Sequence, residues 1–273
     1  MVTAIILRYK RNQTEHDHKR VILQDLFGVD KVITVDNSKE NKGTAAGFTE
    51  GMQQVKDGFI WLLDEDNIPE PDALEVLKEV WGSLENCKNK DLCLASDRMN
   101  NGRGYFYWKT RYHKLIDINS VIGSENSCLG LNVFNYKKTR YNLNRLAEQH
   151  VATTHNVRIL PVAMYGGMFF HSDLLKTIGD PNEKLFMYCD DFDWSYRITN
   201  AGGKIILVKD SIITEPESEG NVYYNTRNHL IFQKQFVTSK FKFRINYYAY
   251  QLYLIYKRDF QKLKALKDGW NFR

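Results

Sequence analysis

Residues 59–69 read Phe59-Ile60-Trp61-Leu62-Leu63-Asp64-Glu65-Asp66-Asn67-Ile68-Pro69. Five apolar residues run directly into three acidic ones. An apolar run of this length, closed by turn residues, predicts a buried strand. The carboxylates then lie at its carboxyl end, the edge at which open α/β sheets bind ligands. Adjacent acids repel unless a cation neutralises them. A divalent-metal site holding a phosphorylated substrate is one reading, and a solvated acidic turn is the other.

The flanking sequence places this strand third in a series. Thr3 to Leu7 predicts a first strand, followed by the polar loop Arg8-Tyr9-Lys10-Arg11. His18 to Phe27 has helical spacing, with Gly28 as its C-cap. Val32 to Val35 predicts a second strand ending in Asp36-Asn37-Ser38. Asn41-Lys42-Gly43-Thr44 turns into a helix. After the acidic strand, Asp72 to Leu84 is helical by spacing, and Leu92 to Ala95 predicts a fourth strand. This β-α-β-α-β-α-β order argues for a mostly parallel sheet with crossover helices. Arg8, Asp36 and Asp64 to Asp66 then share one rim, where a nucleotide could lie. G-x-G-x-x-G and G-x-x-x-x-G-K are both absent, which argues against a dinucleotide fingerprint or a P-loop.

The pattern weakens from Arg98 to Arg158, read as an irregular insert: either a lid or acceptor-binding wall, or a long surface connection. Order returns from Ile159 to Phe170, where Gly166-Gly167 interrupts an apolar run. Close backbone approach explains such a pair, and so does a bulge. Ser172 is an expected N-cap for a helix over 173–178, closed by Gly179. A second acidic cluster, Asp190-Asp191-Phe192-Asp193, opens a helix whose dipole favours carboxylates. Gly202-Gly203-Lys204 is a turn before a strand at Ile205 to Val208.

Composition excludes some classes. Of 273 residues, 43% are hydrophobic and 26% charged, ordinary for a globular protein. Net charge is +5, too modest to imply nucleic acid. Cys87, Cys93, Cys128 and Cys189 have no CxxC or zinc spacing, which fits free thiols in a reducing compartment. The short apolar stretch at the N-terminus is followed, not preceded, by charge, unlike a signal peptide. No apolar run is long enough to span a bilayer. The expected location is cytoplasmic.

In order and spacing these motifs resemble family 2 glycosyltransferases of the GT-A fold, nearest to the bacterial rhamnosyl- and galactofuranosyl-transferase-like branch. Ile5 to Arg11 is similar to the family's opening strand and loop. Val35-Asp36-Asn37-Ser38 with Asn41-Lys42-Gly43 is similar to "DNxS…NxG", and Leu62 to Pro69 to "LDDDxxP", the DxD motif. Gly166 to Phe170, Gly179 and Phe186 to Arg197 are similar to "GG-FF…G…F…DDxD…R", and Tyr223 to Asn228 to "YYxxRN".

The resemblance implies a fold and roles. The fold is α/β: a Rossmann-like GT-A domain over 1–238, with its mostly parallel sheet flanked by helices. It divides into a nucleotide-binding half (1–97) and an acceptor-binding half (98–238), followed by a helical extension at 239–273. Leu7, Arg8, Tyr9, Asp36, Asn41, Lys42, Asp64, Glu65 and Arg227 would bind the nucleotide-sugar donor, UDP- or dTDP-linked. Asp66 and Asp64 would serve a Mn²⁺ or Mg²⁺ ion. Asp191 would be the general base of an inverting transfer, with Asp190, Gly166, Gly167 and Trp194 on the acceptor side. The acceptor would be a glycan or lipid-linked glycan in bacterial surface polysaccharide synthesis. Two departures stand out: Glu65 replaces the middle acid of "DDD", and no histidine follows strand 205–208. There Glu215 is the candidate oxygen ligand.

Ser239 to Arg273 carries nine Lys or Arg and two acids, interleaved with Tyr247, Tyr248, Tyr250, Tyr253, Tyr256, Phe260 and Trp270 and with helical apolar positions. A basic aromatic helix suits an anionic membrane surface, which would make the protein peripheral on the inner face of the plasma membrane. A helical pair packed on the catalytic domain or on a second subunit, as in a homodimer, is the competing reading. Two further functions share parts of the pattern. A sugar nucleotidyltransferase would want a glycine-rich loop after the first strand, and Arg8-Tyr9-Lys10-Arg11 has no glycine. A non-catalytic glycan- or nucleotide-binding module would not need Asp190-Asp191.

Overall fold

The computed structural model describes residues 1–10, 19, 22–84, 91–100, 103–104, 153–160, 162–216, 220–235, 237 and 239–272. The strands are β1 (Val2–Arg8), β2 (Lys31–Asp36), β3 (Phe59–Asp64), β4 (Ile68–Pro69), β5 (Leu92–Asn100), β6 (Arg103–Gly104), β7 (Val157–Leu160), β8 (Met168–His171) and β9 (Lys204–Thr214). The helices are α1 (Gly43–Met52), α2 (Ala73–Ser83), α3 (Asp173–Ile178), α4 (Asp190–Asn200), α5 (Val222–Lys234), α6 (Lys240–Tyr256) and α7 (Phe260–Asn271). Among the described residues, no helix is long and apolar enough to cross a membrane. Most of the insert expected at 98–158 lies outside the described residues, as do Cys87, Cys128 and much of the first expected helix.

One sheet runs in the order β2-β1-β3-β8-β5-β9-β4, with β6 on β5 and β7 on β9. The strands β2, β1, β3, β5 and β9 point the same way, and β8 enters antiparallel between β3 and β5. The expected mostly parallel α/β sheet is therefore present, with one change from the sequence expectation. The third and fourth predicted strands are not neighbours, because β8 separates them. The apolar run at 159–170 also splits into two strands on different partners.

The continuous apolar runs have a direct cause. Ile5, Leu7, Ile60 and Leu62 face one buried cluster, while Ala4, Ile6, Trp61 and Leu63 face another. β1 and β3 are thus covered on both sides, so their interiors are almost wholly apolar, with Thr3 the buried exception. Each fully buried Ile or Leu contributes about 1.5–3 kcal/mol over exposure. Helices α1 and α4 cover the first face and α2 the second. Ser172 precedes α3 as expected, but its hydroxyl makes no capping bond. Gly179 closes that helix at φ +70°.

Helices α6 and α7 pack on α5 through a third cluster that includes Leu230, Phe243, Tyr247, Leu254 and Leu266. Gly269 permits the close seat of α7, since a Cβ there would lie 2.6 Å from the Arg227 carbonyl oxygen. The packed helical pair is the arrangement adopted.

Candidate active site

Strand register builds the first wall. Arg8 sits beside Asp36 across β1 and β2, and Leu7 beside Asp64 across β1 and β3. The Arg8 guanidinium reaches the Asp36 carboxylate at 3.3 Å. Asn41 Oδ1 accepts from the Gly43 amide at 3.0 Å, shaping the turn into α1, while Lys42 pairs outward with Glu50 at 3.0 Å. Tyr9 is exposed at the rim.

The acidic turn is held from beneath. The ammonium of Lys19 donates to the carbonyls of Asp64, Glu65 and Asn67 at 2.8–2.9 Å. Asn67 Oδ1 accepts from the Asp64 amide at 2.9 Å. Gly166 lies against the same turn: a Cβ there would stand 2.3 Å from Asn67 Oδ1 and 3.1 Å from Asp64 Oδ2. The glycine pair is therefore a close backbone approach and not a strand bulge. Gly167, at φ +93°, donates to the Leu62 carbonyl and accepts from the Ser96 amide.

The second wall is the start of α4. Residues 186–189 enter it with three non-glycine left-handed residues, Phe186, Tyr188 and Cys189. Such strain persists only where surroundings enforce it. The enforcer is Asn228 on α5, fully buried, whose Nδ2 lies 2.6–3.0 Å from the carbonyls of Leu185, Met187 and Tyr188. The Asp190 carboxylate is buried and accepts from the Thr44 hydroxyl at 2.7 Å. The Asp191 carboxylate accepts from the Phe192 amide at 2.8 Å.

Arg98, which sequence reasoning did not single out, joins the walls. Its guanidinium donates to Glu215 and lies 3.9 Å from Asp64 Oδ2. It also acts on the Asp191 carboxylate. A register shift between Ser96 and Asp97 brings the end of β5 level with the end of β9. No side-chain periodicity encodes that shift, so the sequence carries no signal for it.

Electrostatics set the two acids apart from ordinary carboxylates. Burial, offset in part by Arg98, raises Asp64 to about 6. Burial likewise raises Asp191 to about 7, with the Phe192 amide and Arg98 pulling it down and Asp64 pushing it up. Burial and the Asp191 charge raise Asp190 well above the usual carboxylate range. Two buried polar atoms nearby, Asn67 Nδ2 and the Tyr165 hydroxyl, have no protein partner. Buried groups of this kind mark a place for a polar ligand.

Several expected residues stand elsewhere. Trp194 is fully buried and donates to the Gly179 carbonyl at 2.9 Å, so its indole is core rather than a wall. Arg227 points between α5 and α7, donating to the Lys184 carbonyl and covering the Phe272 ring. Glu215 is engaged by Arg98. Among the described residues, no three His, Cys, Asp or Glu side chains converge as a metal set. Asp64 and Asp66 do fit a Mg²⁺ or Mn²⁺ ion shared with phosphate oxygens, since such ions take one or two carboxylates and complete their shell on the substrate. His171 pairs with Asp173 at 3.2 Å, and His229 lies 3.0 Å from the Asn225 carbonyl and 3.3 Å from Cys189 Sγ.

Fold and cleft together define a mostly parallel α/β protein with two groups of carboxylates, at the end of β3 and the start of α4. The chain matches the family model for glycosyltransferase like family 2 over residues 12–229, and it belongs to that family. No curated protein matches it. Among solved structures it is similar to GalNAc-T7, crystallised with UDP, GalNAc and Mn²⁺, at 13% identity and a TM-score of 0.49 over 84% of this chain and 47% of that one. It is also similar to S. aureus TarS residues 1–349, at 10% identity and a TM-score of 0.45, over 85% of this chain and 63% of that one. The chain thus spans less than two thirds of the length of either.

Proposed function

We propose that the protein is an inverting glycosyltransferase that moves a sugar from a UDP- or dTDP-linked donor to a glycan or lipid-linked glycan. Family membership supports the reaction class. The observation that carries the finer reading is the pair Asp64 and Asp191, each raised by burial and each acted on by Arg98, with the Asp64 charge felt at Asp191.

Asp191 takes the proton of the acceptor hydroxyl as that oxygen bonds to the anomeric carbon. The bond from that carbon to the phosphate oxygen breaks, and its electron pair leaves with the nucleoside diphosphate. A base poised near neutral pH is the efficient choice for this step. A single displacement of this kind inverts the anomeric centre. Leu7, Arg8, Tyr9 and Asp36 form the nucleoside end of the cleft, with Asn41, Lys42 and Glu65 at its edge. Gly166 and Gly167 keep the space above Asp64 open, and Asp190 faces the acceptor. Asp64 and Asp66 would hold a Mg²⁺ or Mn²⁺ ion, which supplies charge stabilisation to the departing diphosphate. Residues 1–97 contribute the donor side and 98–238 most of the acceptor side.

The tail supports a membrane-borne acceptor. On α6, Phe241, Tyr248, Leu252, Ile255 and Tyr256 are exposed, opposite the buried Phe243, Tyr247, Tyr250 and Leu254. Lys240, Lys242 and Arg244 sit at the helix start, where the dipole disfavours cations, and α6 has no acid. Folding alone does not explain that placement, and attraction to anionic lipid does. This reading puts the protein at the inner face of a bacterial plasma membrane, in surface polysaccharide synthesis.

The test is transfer by Asp191→Asn and Asp66→Ala variants against a panel of UDP- and dTDP-sugars with Mn²⁺. Both should lose transfer while keeping wild-type circular dichroism. Full activity in both overturns the proposal.

A further inference from the structure

A second cavity lies beside the α4 entry, on the far side of Phe186 from α1. Its volume is about 590 Å³, inside the range of about 300–1,000 Å³ typical of ligand pockets. One wall is the stretch from Glu183 to Phe186, one is the first two turns of α5, and the third is the end of α7.

The walls are locked together. The Phe186 ring stacks on Tyr224 with centroids 4.7 Å apart, and Tyr223 meets Tyr224 edge-on. The Tyr223 hydroxyl donates to Asp268 at 2.6 Å. The Arg227 guanidinium lies 4.9 Å over the Phe272 ring. Lys234 fixes the end of α7 by donating to the carbonyls of Gly269, Trp270 and Phe272 at 2.9–3.3 Å. Helix α7 therefore forms one wall of a broad groove that opens to solvent.

The lining decides the ligand. Lys184 and Arg227 are balanced by Glu183 and Asp268. That balance favours neither a strong anion nor a strong cation. Aromatic faces at Phe186, Tyr224 and Phe272 suit the apolar C–H face of a pyranose ring, and the carboxylates and the Asn271 amide suit its hydroxyls. The location ties this to chemistry. The Phe186 carbonyl accepts from the Thr44 amide, and Thr44 in turn holds Asp190.

We infer that this cavity is a saccharide-binding subsite, which takes a neutral sugar unit of the acceptor at a distance from the residue being glycosylated. The inference rests on the glycosyltransferase reading for the word acceptor, and on the cavity alone for the saccharide. Binding there also tightens the loop that carries Asp190 and Asp191, because Phe186 belongs to both.

The experiment is saturation-transfer NMR with lactose, maltose and an α-rhamnosyl disaccharide on the full chain. At least one sugar should show transfer from wild type. Affinity should fall by about tenfold or more in Phe272→Ala, as truncating an aromatic anchor does. Asn271→Ala, at an exposed position that does not threaten folding, should weaken it in the same direction. Asp191→Asn should retain saccharide binding while losing sugar transfer. No saturation transfer in wild type, or equal transfer in Phe272→Ala and Asn271→Ala, overturns the inference. Saccharide binding at the cavity in a wild type that transfers no sugar refutes the glycosyltransferase reading and leaves the subsite standing.

Discussion

The hydroxyl of Thr44 donates to Asp190 Oδ2 at 2.7 Å, joining residues 146 positions apart. The bond links the first turn of α1 to the first turn of α4, the two walls of the proposed cleft. Thr44→Val keeps the shape and removes the donor. A buried acceptor left without its partner costs about 1–3 kcal/mol. Thr44→Val should lower the melting temperature and raise the acceptor KM more than the donor KM. Unchanged kinetics would show that Asp190 needs no such support.

The elevated Asp191 fixes the pH profile. A base must be ionised, and its folded-state pKa is about 7. Transfer should rise as pH rises through neutrality, and fall about tenfold for each unit below it. The same shift affects stability. A carboxylate raised by burial binds its proton more tightly folded than unfolded. Its contribution is present below the unfolded value and is lost as pH rises through about 7, so Asp191→Asn should stabilise the fold at pH 8 more than at pH 5. Transfer that is flat from about pH 5.5 to about pH 8, on both sides of neutrality, would remove Asp191 from the role of base.

Asn228 reaches three carbonyls of the strained entry to α4. Asn228→Leu leaves those carbonyls buried without a donor, at a cost of about 2–4 kcal/mol in total. A chemical-denaturation curve should show the loss, and transfer should fall with it. Asn228→Asp, which keeps the size but cannot donate, should be equally damaging. A wild-type rate in Asn228→Asp would mean the loop is fixed by other contacts.

Gly166→Ala places a Cβ within 2.3 Å of Asn67 Oδ1. The acidic turn must shift. Donor binding by calorimetry should weaken by about tenfold or more, the usual size of overpacking effects of 1–3 kcal/mol. Circular dichroism should stay that of wild type, because the clash is confined to the turn.

The outer face of α6 predicts sedimentation with phosphatidylserine-containing vesicles. A Leu252→Glu/Ile255→Glu double variant should stay in the supernatant, and added salt should release the wild type. Equal partitioning of both proteins would assign the stripe to another role.

The sequence made some of this legible and hid the rest for physical reasons. β1 and β3 announce themselves because both faces are buried. The acids at 64–66 and 190–191 stand out because they interrupt apolar surroundings. Arg98 stays hidden because a register shift brings it to the cleft. Lys19 stays hidden because its partners are carbonyls, which every residue owns. Trp194 lies one helical turn from Asp190, a spacing that suggests a shared face, yet the packing of α4 turns that face into the core. The YYxxRN stretch marks an important place, and its Asn clamps a loop while its Arg lines a different cavity.

The insertion of β8 between β3 and β5 bears on how the chain is made. As the ribosome delivers the first half, β3 has a bare edge, and β5 has only the two-residue β6 to join. Phe59, Ile60 and Trp61 wait for His171, Phe170 and Phe169. The first half therefore cannot mature as a separate folding unit. Newly made chains expose an unpaired apolar strand until translation passes β8, and a nonsense mutation before that point yields a sticky fragment rather than a smaller nucleotide-binding protein.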